Sequence, residues 1–212
     1  MTDYGGVFGA MLFGVASRDL LLVVQGITAE QWERPATAEW TVRELAAHAS
    51  RALTTAEAKL APGDLPHQGD RPTLGSAAEY YLHVLVDPDL DTGVATRGRD
   101  EAARIGDEIV AYIAGLIERV VPLVDATPPD TLVDVFGETM RFGDYLHTRL
   151  VELVVHTDDL CRAVDRPSVA DGELVRATAA ALVGMLGADD VVALRALLGR
   201  GPLAGYNLFR PR

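Results

Sequence analysis

The sequence predicts an all-α fold: a four-helix bundle with a small helical extension at its C-terminal end. Three observations predict it. Apolar residues recur at helical spacing over four long segments. Strand signals, short runs of β-branched and aromatic residues with a period of two, are almost absent. One extended connection separates the third long segment from the fourth, as bundle topologies allow. The 212 residues suit one large domain or a core domain with an appendage, and 49% apolar residues are ample for the core of either. The pattern divides the chain into a bundle over residues 1–165 and a helical extension over 166–212.

The first helix follows from Val7, Met11, Leu12, Val15, Leu22 and Val23 and runs to about Gln25. A loop with Pro35 and two tryptophans leads to a complete helix start signal. Thr41 is the N-cap, Glu44 three residues later closes a capping box, and Trp40 with Leu45 fits a hydrophobic staple. That second helix, TVRELAAHASRALTTAEAKL, stops before Pro62-Gly63. Residues 62–75 hold three prolines and three glycines and read as loop. A shorter helix covers SAAEYYLHVLV before Asp87-Pro88. The third long helix is expected as one piece from Asp100 to Val124, with Pro122 in its last turn. TLVDVFGETM reads either as a brief β-like excursion turning at Gly137 or as an extended linker. The fourth long helix starts near Phe142 and ends before Arg166-Pro167, and ELVRATAAALVGML and DDVVALRALLG complete the extension.

Charge and cysteine usage exclude several classes. With 31 acidic against 19 basic residues the net charge is −12, the wrong sign for phosphate neutralisation, so no nucleic-acid partner is expected. The one cysteine, Cys161, rules out an intramolecular disulfide and any cysteine-rich zinc cluster. It lies on a helix between apolar neighbours and reads as a small buried hydrophobe. The N-terminal apolar run lacks a basic start, carries Asp3 and is interrupted by Arg18 and Asp19, unlike a signal peptide or a membrane span. A cytoplasmic protein is the simplest expectation.

The candidate site begins in VELVVHTDDL, residues 151–160. Glu152 and His156 are one helical turn apart, so both project from the same face of an otherwise apolar helix. A carboxylate in such surroundings needs a partner: a cation, a hydrogen bond or an ion pair. Arg149, at i−3 from Glu152, offers the ordinary ion pair; a metal ion is the alternative. On the second helix His48 sits at the edge of the apolar stripe, where a satisfied core histidine competes with a ligand. One ligand from one helix and two from another would leave a fourth position open, the geometry of a catalytic zinc site. Asp159 borders the same face and reads either as an acceptor for the second ring nitrogen of His156 or as helix surface. His147 points from another face, His67 sits in the Pro/Gly loop, and His83, Tyr80 and Tyr81 border a cleft or simply pack. No Gly-rich phosphate motif or nucleophile elbow occurs.

EWTVRELAAHAS (39–50) and DYLHTRLVELVVHTDDL (144–160) resemble the two signature segments of the mycothiol-dependent maleylpyruvate isomerase metal-binding domain, one of the DinB-like metal-binding bundles. SAAEYYLHVLV and TRGRDEAARIGDEI resemble the actinobacterial branch of that family. The likeness covers residues 5–165. It implies a divalent ion, typically zinc, on His48, Glu152 and His156; from their spacing alone, Asp159 and Arg149 are candidates to support those ligands. It also implies a thiol-dependent isomerase or S-transferase in which the metal, holding water or a low-molecular-weight thiol such as mycothiol, acts on a small electrophile. The alternative is a non-catalytic metal-binding or regulatory bundle, and a homodimer fits either. The isomerase also has an α+β C-terminal domain that contributes a catalytic arginine. Here about 45 residues follow Pro167 and read as helices with a basic tail. Arg195, Arg200, Arg210 and Arg212 are present, but none aligns with that arginine, so the isomerase reaction itself is not implied.

Overall fold

The computed structural model describes residues 7–61, 65–86, 93–186 and 190–198. Four long helices form the bundle: α1 (Val7–Gln25), α2 (Val42–Lys59), α5 (Ile109–Ala126) and α6 (Phe142–Ala163). Each touches two neighbours around a ring, α1 to α6, α6 to α2, α2 to α5 and α5 back to α1. Between them lie α3 (Ala77–Val86), α4 (Val94–Ile105) and a two-stranded hairpin, β1 (Leu132–Val135) with β2 (Glu138–Arg141). The extension supplies α7 (Gly172–Gly184), packed on α6, α3 and α1, and α8 (Val191–Leu197). Arg195 is exposed on α8, whereas Arg200, Arg210 and Arg212 lie outside the described residues.

By length and composition α1 is apolar enough to cross a membrane, but half of it is buried in the bundle. Leu12, Phe13, Ala16, Leu20, Val23 and Val24 are the apolar side chains of that half, a stripe at helical spacing that places α1 in the core. α2 begins where its capping box predicts. The Glu44 amide donates to Thr41 Oγ1 at 3.3 Å, and the Thr41 amide donates to Glu44 Oε2 at 2.8 Å. Its inward face is mostly alanine (Ala46, Ala47, Ala49, Ala52 and Ala56), and side chains this small let neighbouring helices approach closely. α6 is buried nearly all round, as a helix surrounded by α1, α2, α3 and α7 must be.

The segment expected as one helix from Asp100 to Val124 is two. α4 starts earlier, at Val94, and ends at Ile105; Gly106 then takes φ +64°, a short 3-10 turn follows, and α5 begins at Ile109. With ψ at −136° this is a positive-φ region that only glycine enters without penalty, and it ends the helix. The break is tied to α2, because Arg43 Nη1 donates to the Gly106 carbonyl at 3.1 Å. α5 also continues to Ala126, so Pro122 is inside the helix and not in its final turn.

TLVDVFGETM resolves as the hairpin. Val135 pairs with Glu138 across a two-residue turn in which Phe136 and Gly137 have φ of +56° and +82°. This is the doubly left-handed turn that suits strand twist, although phenylalanine there is strained by about 1 kcal/mol. The Phe136 ring stacks on Tyr80, centroids 6.1 Å apart. The amides of Thr73 and Leu74 both donate to the Thr139 carbonyl, which pins the segment before α3 to β2. α3 is thereby set against α6 with Tyr80 and Tyr81 buried between them.

Candidate metal centre

The packing of α2 on α6 brings His48 to Glu152 and His156. The three potential ligand atoms lie within 4.8 Å of one another. His156 Nε2 is 3.2 Å from Glu152 Oε2, and the two imidazole rings meet edge to face with centroids 4.8 Å apart. His48 Nδ1 is buried and has no hydrogen-bond partner among the described residues. An orphaned buried nitrogen costs roughly 1–3 kcal/mol when nothing binds it. Two imidazoles and a carboxylate are a donor set that zinc takes readily, so the residues present fit a divalent ion.

Each ligand is held from behind. The Tyr81 hydroxyl donates to Glu152 Oε1 at 3.0 Å and lies at the same distance from the Thr148 carbonyl. His156 Nδ1 is 3.6 Å from Asp159 Oδ2, an ion-pair distance too long for a hydrogen bond, while Asp159 Oδ1 takes Arg162 Nη2 at 2.7 Å. Trp40 stacks on His48 with centroids 4.3 Å apart and planes 25° from parallel. Its indole Nε1–H donates to the Ala95 carbonyl at 3.2 Å. Gly98, one turn on in α4, leaves room for the indole, since a Cβ there would lie 2.8 Å from Nε1.

The i,i+3 ion pair between Arg149 and Glu152 is not formed. The guanidinium turns instead to the Thr148 and Tyr80 hydroxyls, at 3.0 and 3.1 Å, and lies over the rings of Tyr145 and Tyr80. Aromatic faces and hydroxyls take up part of its charge, so Glu152 keeps its oxygens for His156 and Tyr81.

The electrostatics follow from this arrangement. Burial, aided by repulsion from His156, pushes His48 down to about 3, so its ring is neutral near pH 7. Burial also disfavours charge on His156, but Asp159 and Glu152 outweigh it and raise the group to about 9. For Glu152 burial again opposes the charge, and the contact with His156 plus the charges of His156 and Arg149 hold the carboxyl well below its usual range. Burial and the Glu152 charge push Tyr81 far up, so its hydroxyl stays a donor.

Other sequence candidates lie apart. His147 Nε2 is 2.8 Å from the Ala177 carbonyl and docks α7; His67 is exposed; His83 is half-buried on α3. Cys161 is fully buried, and burial raises its thiol. Sequence reasoning missed the roles of Tyr81 and Trp40. The one available signal was that each is a large aromatic with a polar atom flanking the motif-bearing helices, which specifies neither contact.

A family model described as the mycothiol maleylpyruvate isomerase N-terminal domain matches residues 13–161. Comparison with curated proteins and with solved structures returns no match.

Proposed function

The chain belongs to the mycothiol maleylpyruvate isomerase N-terminal domain family, and from that premise we propose that it is a thiol-dependent metalloenzyme of the isomerase or S-transferase type. His48, Glu152 and His156 hold a divalent ion, Zn²⁺, and leave a position for a low-molecular-weight thiol such as mycothiol. The substrate is a small electrophile, and the cytoplasm is the setting. When bound, the ion lowers the pKa of a coordinated thiol and so supplies a thiolate at neutral pH. The observation that carries this reading is the convergence of three donor atoms within 4.8 Å, one of them the orphaned ring of His48.

The chain's own residues prepare the site. His48 is neutral and ready to coordinate without losing a proton. Tyr81 fixes the Glu152 carboxylate in one rotamer through Oε1, leaving Oε2 on the side of His156. Asp159 faces the far nitrogen of His156 at 3.6 Å, near enough for charge attraction though not for a hydrogen bond. Trp40 covers one face of His48 and keeps water from it.

Zinc analysis of protein purified without added ions, beside His48→Ala and His156→Ala, tests the first step. Stoichiometric zinc in the wild type and its loss in both variants is expected. A wild type that stays metal-free in excess zinc overturns the reading. A second reading, a non-catalytic metal-binding or regulatory bundle, is favoured by two observations. Trp40 lies flat on His48, and a cavity of about 360 Å³ lies away from the cluster, between α1, α5 and the first turn of α6. The two readings separate on thermal shift: a thiol stabilises the zinc form but not the metal-free form only under the first.

A further inference from the structure

The surroundings of the His48–Glu152–His156 cluster are positive in a chain whose net charge is −12. Gln31 donates to the Val164 carbonyl at 3.4 Å, and Arg34 pairs with Asp165. The chain thus enters α2 beside the end of α6, and the two helices run in opposite directions. Arg51, three residues after His48, and Arg149, three residues before Glu152, therefore lie on the same side of the cluster, about one helical turn along the bundle. The charges of both reach His48.

Neither charge is taken up by an acid. Arg149 is half-buried, and its Nε and Nη2 donate to the neutral hydroxyls of Thr148 and Tyr80. Its Nη1 makes no hydrogen bond among the described residues and, unlike Nδ1 of His48 and of His156, is not sealed from solvent. The Arg51 guanidinium, also half-buried, makes no ion pair or hydrogen bond among the described residues. The neighbouring acids are engaged elsewhere. Glu101 of α4, on which the Arg51 charge acts, is bound by Arg104 at 2.6 Å and by the Tyr112 hydroxyl at 3.1 Å. Asp159 is held by Arg162 at 2.7 Å. Glu152 is left to offset both guanidiniums, even with the two imidazoles uncharged, and a divalent ion adds to the excess. Half-buried charge is costly without a counterion, and a guanidinium presents its N–H groups as a fork that fits an oxyanion.

We propose that Arg51 and Arg149 form an oxyanion subsite beside the metal centre, for the carboxylate, sulfonate or phosphate end of a ligand. The positive patch draws such a ligand to an otherwise acidic protein, and the arginines hold its charged end about one helical turn from the metal ligands.

Calorimetry on the full chain tests this in two arms. Inorganic phosphate is titrated into the metal-free protein, and this arm is independent of the enzymatic reading above. Mercaptoethanesulfonate and mercaptoethanol, which differ by a sulfonate in place of a hydroxyl, are titrated into the zinc-loaded protein; this arm rests on that reading. Saturable phosphate binding and about a tenfold preference for the sulfonate are expected in the wild type. Arg149→Met and Arg51→Met should each weaken phosphate binding about tenfold and remove the preference, with the affinity for mercaptoethanol retained. The Arg51 guanidinium has no bond to lose, so Arg51→Met folds as the wild type does and decides the matter if Arg149→Met is unstable. Arg119→Met removes the same charge from the exposed pair with Glu57 and should alter neither arm. Wild-type binding in a folded Arg51→Met or Arg149→Met overturns the proposal, as does a wild type that takes up no phosphate or binds the two thiols equally. A chain that binds no zinc or no mercaptoethanol fails the enzymatic reading alone, because phosphate binding needs neither.

Discussion

Tyr81 and Glu152 are joined by a hydrogen bond of 3.0 Å from the phenol to Oε1, while the other carboxylate oxygen faces His156. α3 thus reaches across to a residue of α6 and divides the two oxygens of one carboxylate between two tasks. Groups that orient a metal ligand in this way matter about as much as the ligands.

Tyr81→Phe keeps the ring and removes only the hydroxyl. About 1 kcal/mol of stability should be lost with the hydrogen bond. Zinc affinity should fall about tenfold as the carboxylate gains rotameric freedom. Urea unfolding of the metal-free protein and competition with a chromophoric chelator measure the two effects separately. A variant that loses stability but keeps full zinc affinity would show that the phenol only packs.

Zinc binding should release about one proton near pH 7. His156, raised to about 9, carries a proton in the metal-free protein and must shed it to coordinate, whereas His48, lowered to about 3, has none to lose. Affinity should therefore rise about tenfold per pH unit from pH 7 and level off above pH 9. The metal-free protein should behave oppositely. The folded pKa of His156 is above its unfolded value, so its contribution to stability is complete below about pH 6.5 and is lost as pH rises through about 9. Calorimetry in buffers of different ionisation enthalpy counts the protons; a pH-independent zinc affinity between 7 and 9 would contradict this assignment.

The parts of this molecule legible in its sequence are those coded locally. Thr41 with Glu44 announces the start of α2 because both halves of a capping box lie within four residues, and the Glu152–His156 spacing announces a shared face for the same reason. The break at Gly106 was less legible. Glycine is tolerated within helices, and the positive-φ break it makes here is bonded through its carbonyl to Arg43, far away in the chain. The hairpin was ambiguous because its turn uses Phe136-Gly137 in place of an Asn-Gly pair. The contacts of Tyr81, Trp40 and Arg149 arise only when α3, the loop before α2 and α6 come together. Sequence spacing offered Arg149 to Glu152, and the tyrosines of α3 and α6 took it instead.

Arg149→Met should separate stability from metal affinity. Losing two cation–π contacts and the hydrogen bonds to Tyr80 and Thr148 should cost roughly 1–3 kcal/mol. Removing a positive charge close to Glu152 and His48 should at the same time strengthen zinc binding, because that charge acts on both residues. The sign of the affinity change, opposite to that for Tyr81→Phe, is the decisive observation; weaker zinc binding would mean that the guanidinium supports the ligand geometry more than it repels the ion.

Gly98→Ala tests whether Trp40 is seated as described. On an exposed helix this change would stabilise by about 1 kcal/mol, because alanine is the better helix former. Here the new Cβ meets the indole at 2.8 Å, and the indole has little freedom: its Nε1 is bonded to Ala95 and its face rests on His48. The rigid bicycle must tilt away, at a cost of roughly 1–3 kcal/mol that outweighs the helical gain. The variant should therefore melt below the wild type. The chain has two tryptophans, so a Trp32→Phe background leaves Trp40 as the sole emitter, and its emission should shift on zinc binding in that background. With Gly98→Ala added, the metal-free emission should move to longer wavelength as the indole meets water, and zinc should exchange faster from the uncovered His48. A higher melting temperature with unchanged emission would place Trp40 away from Gly98 and remove the cover from the site.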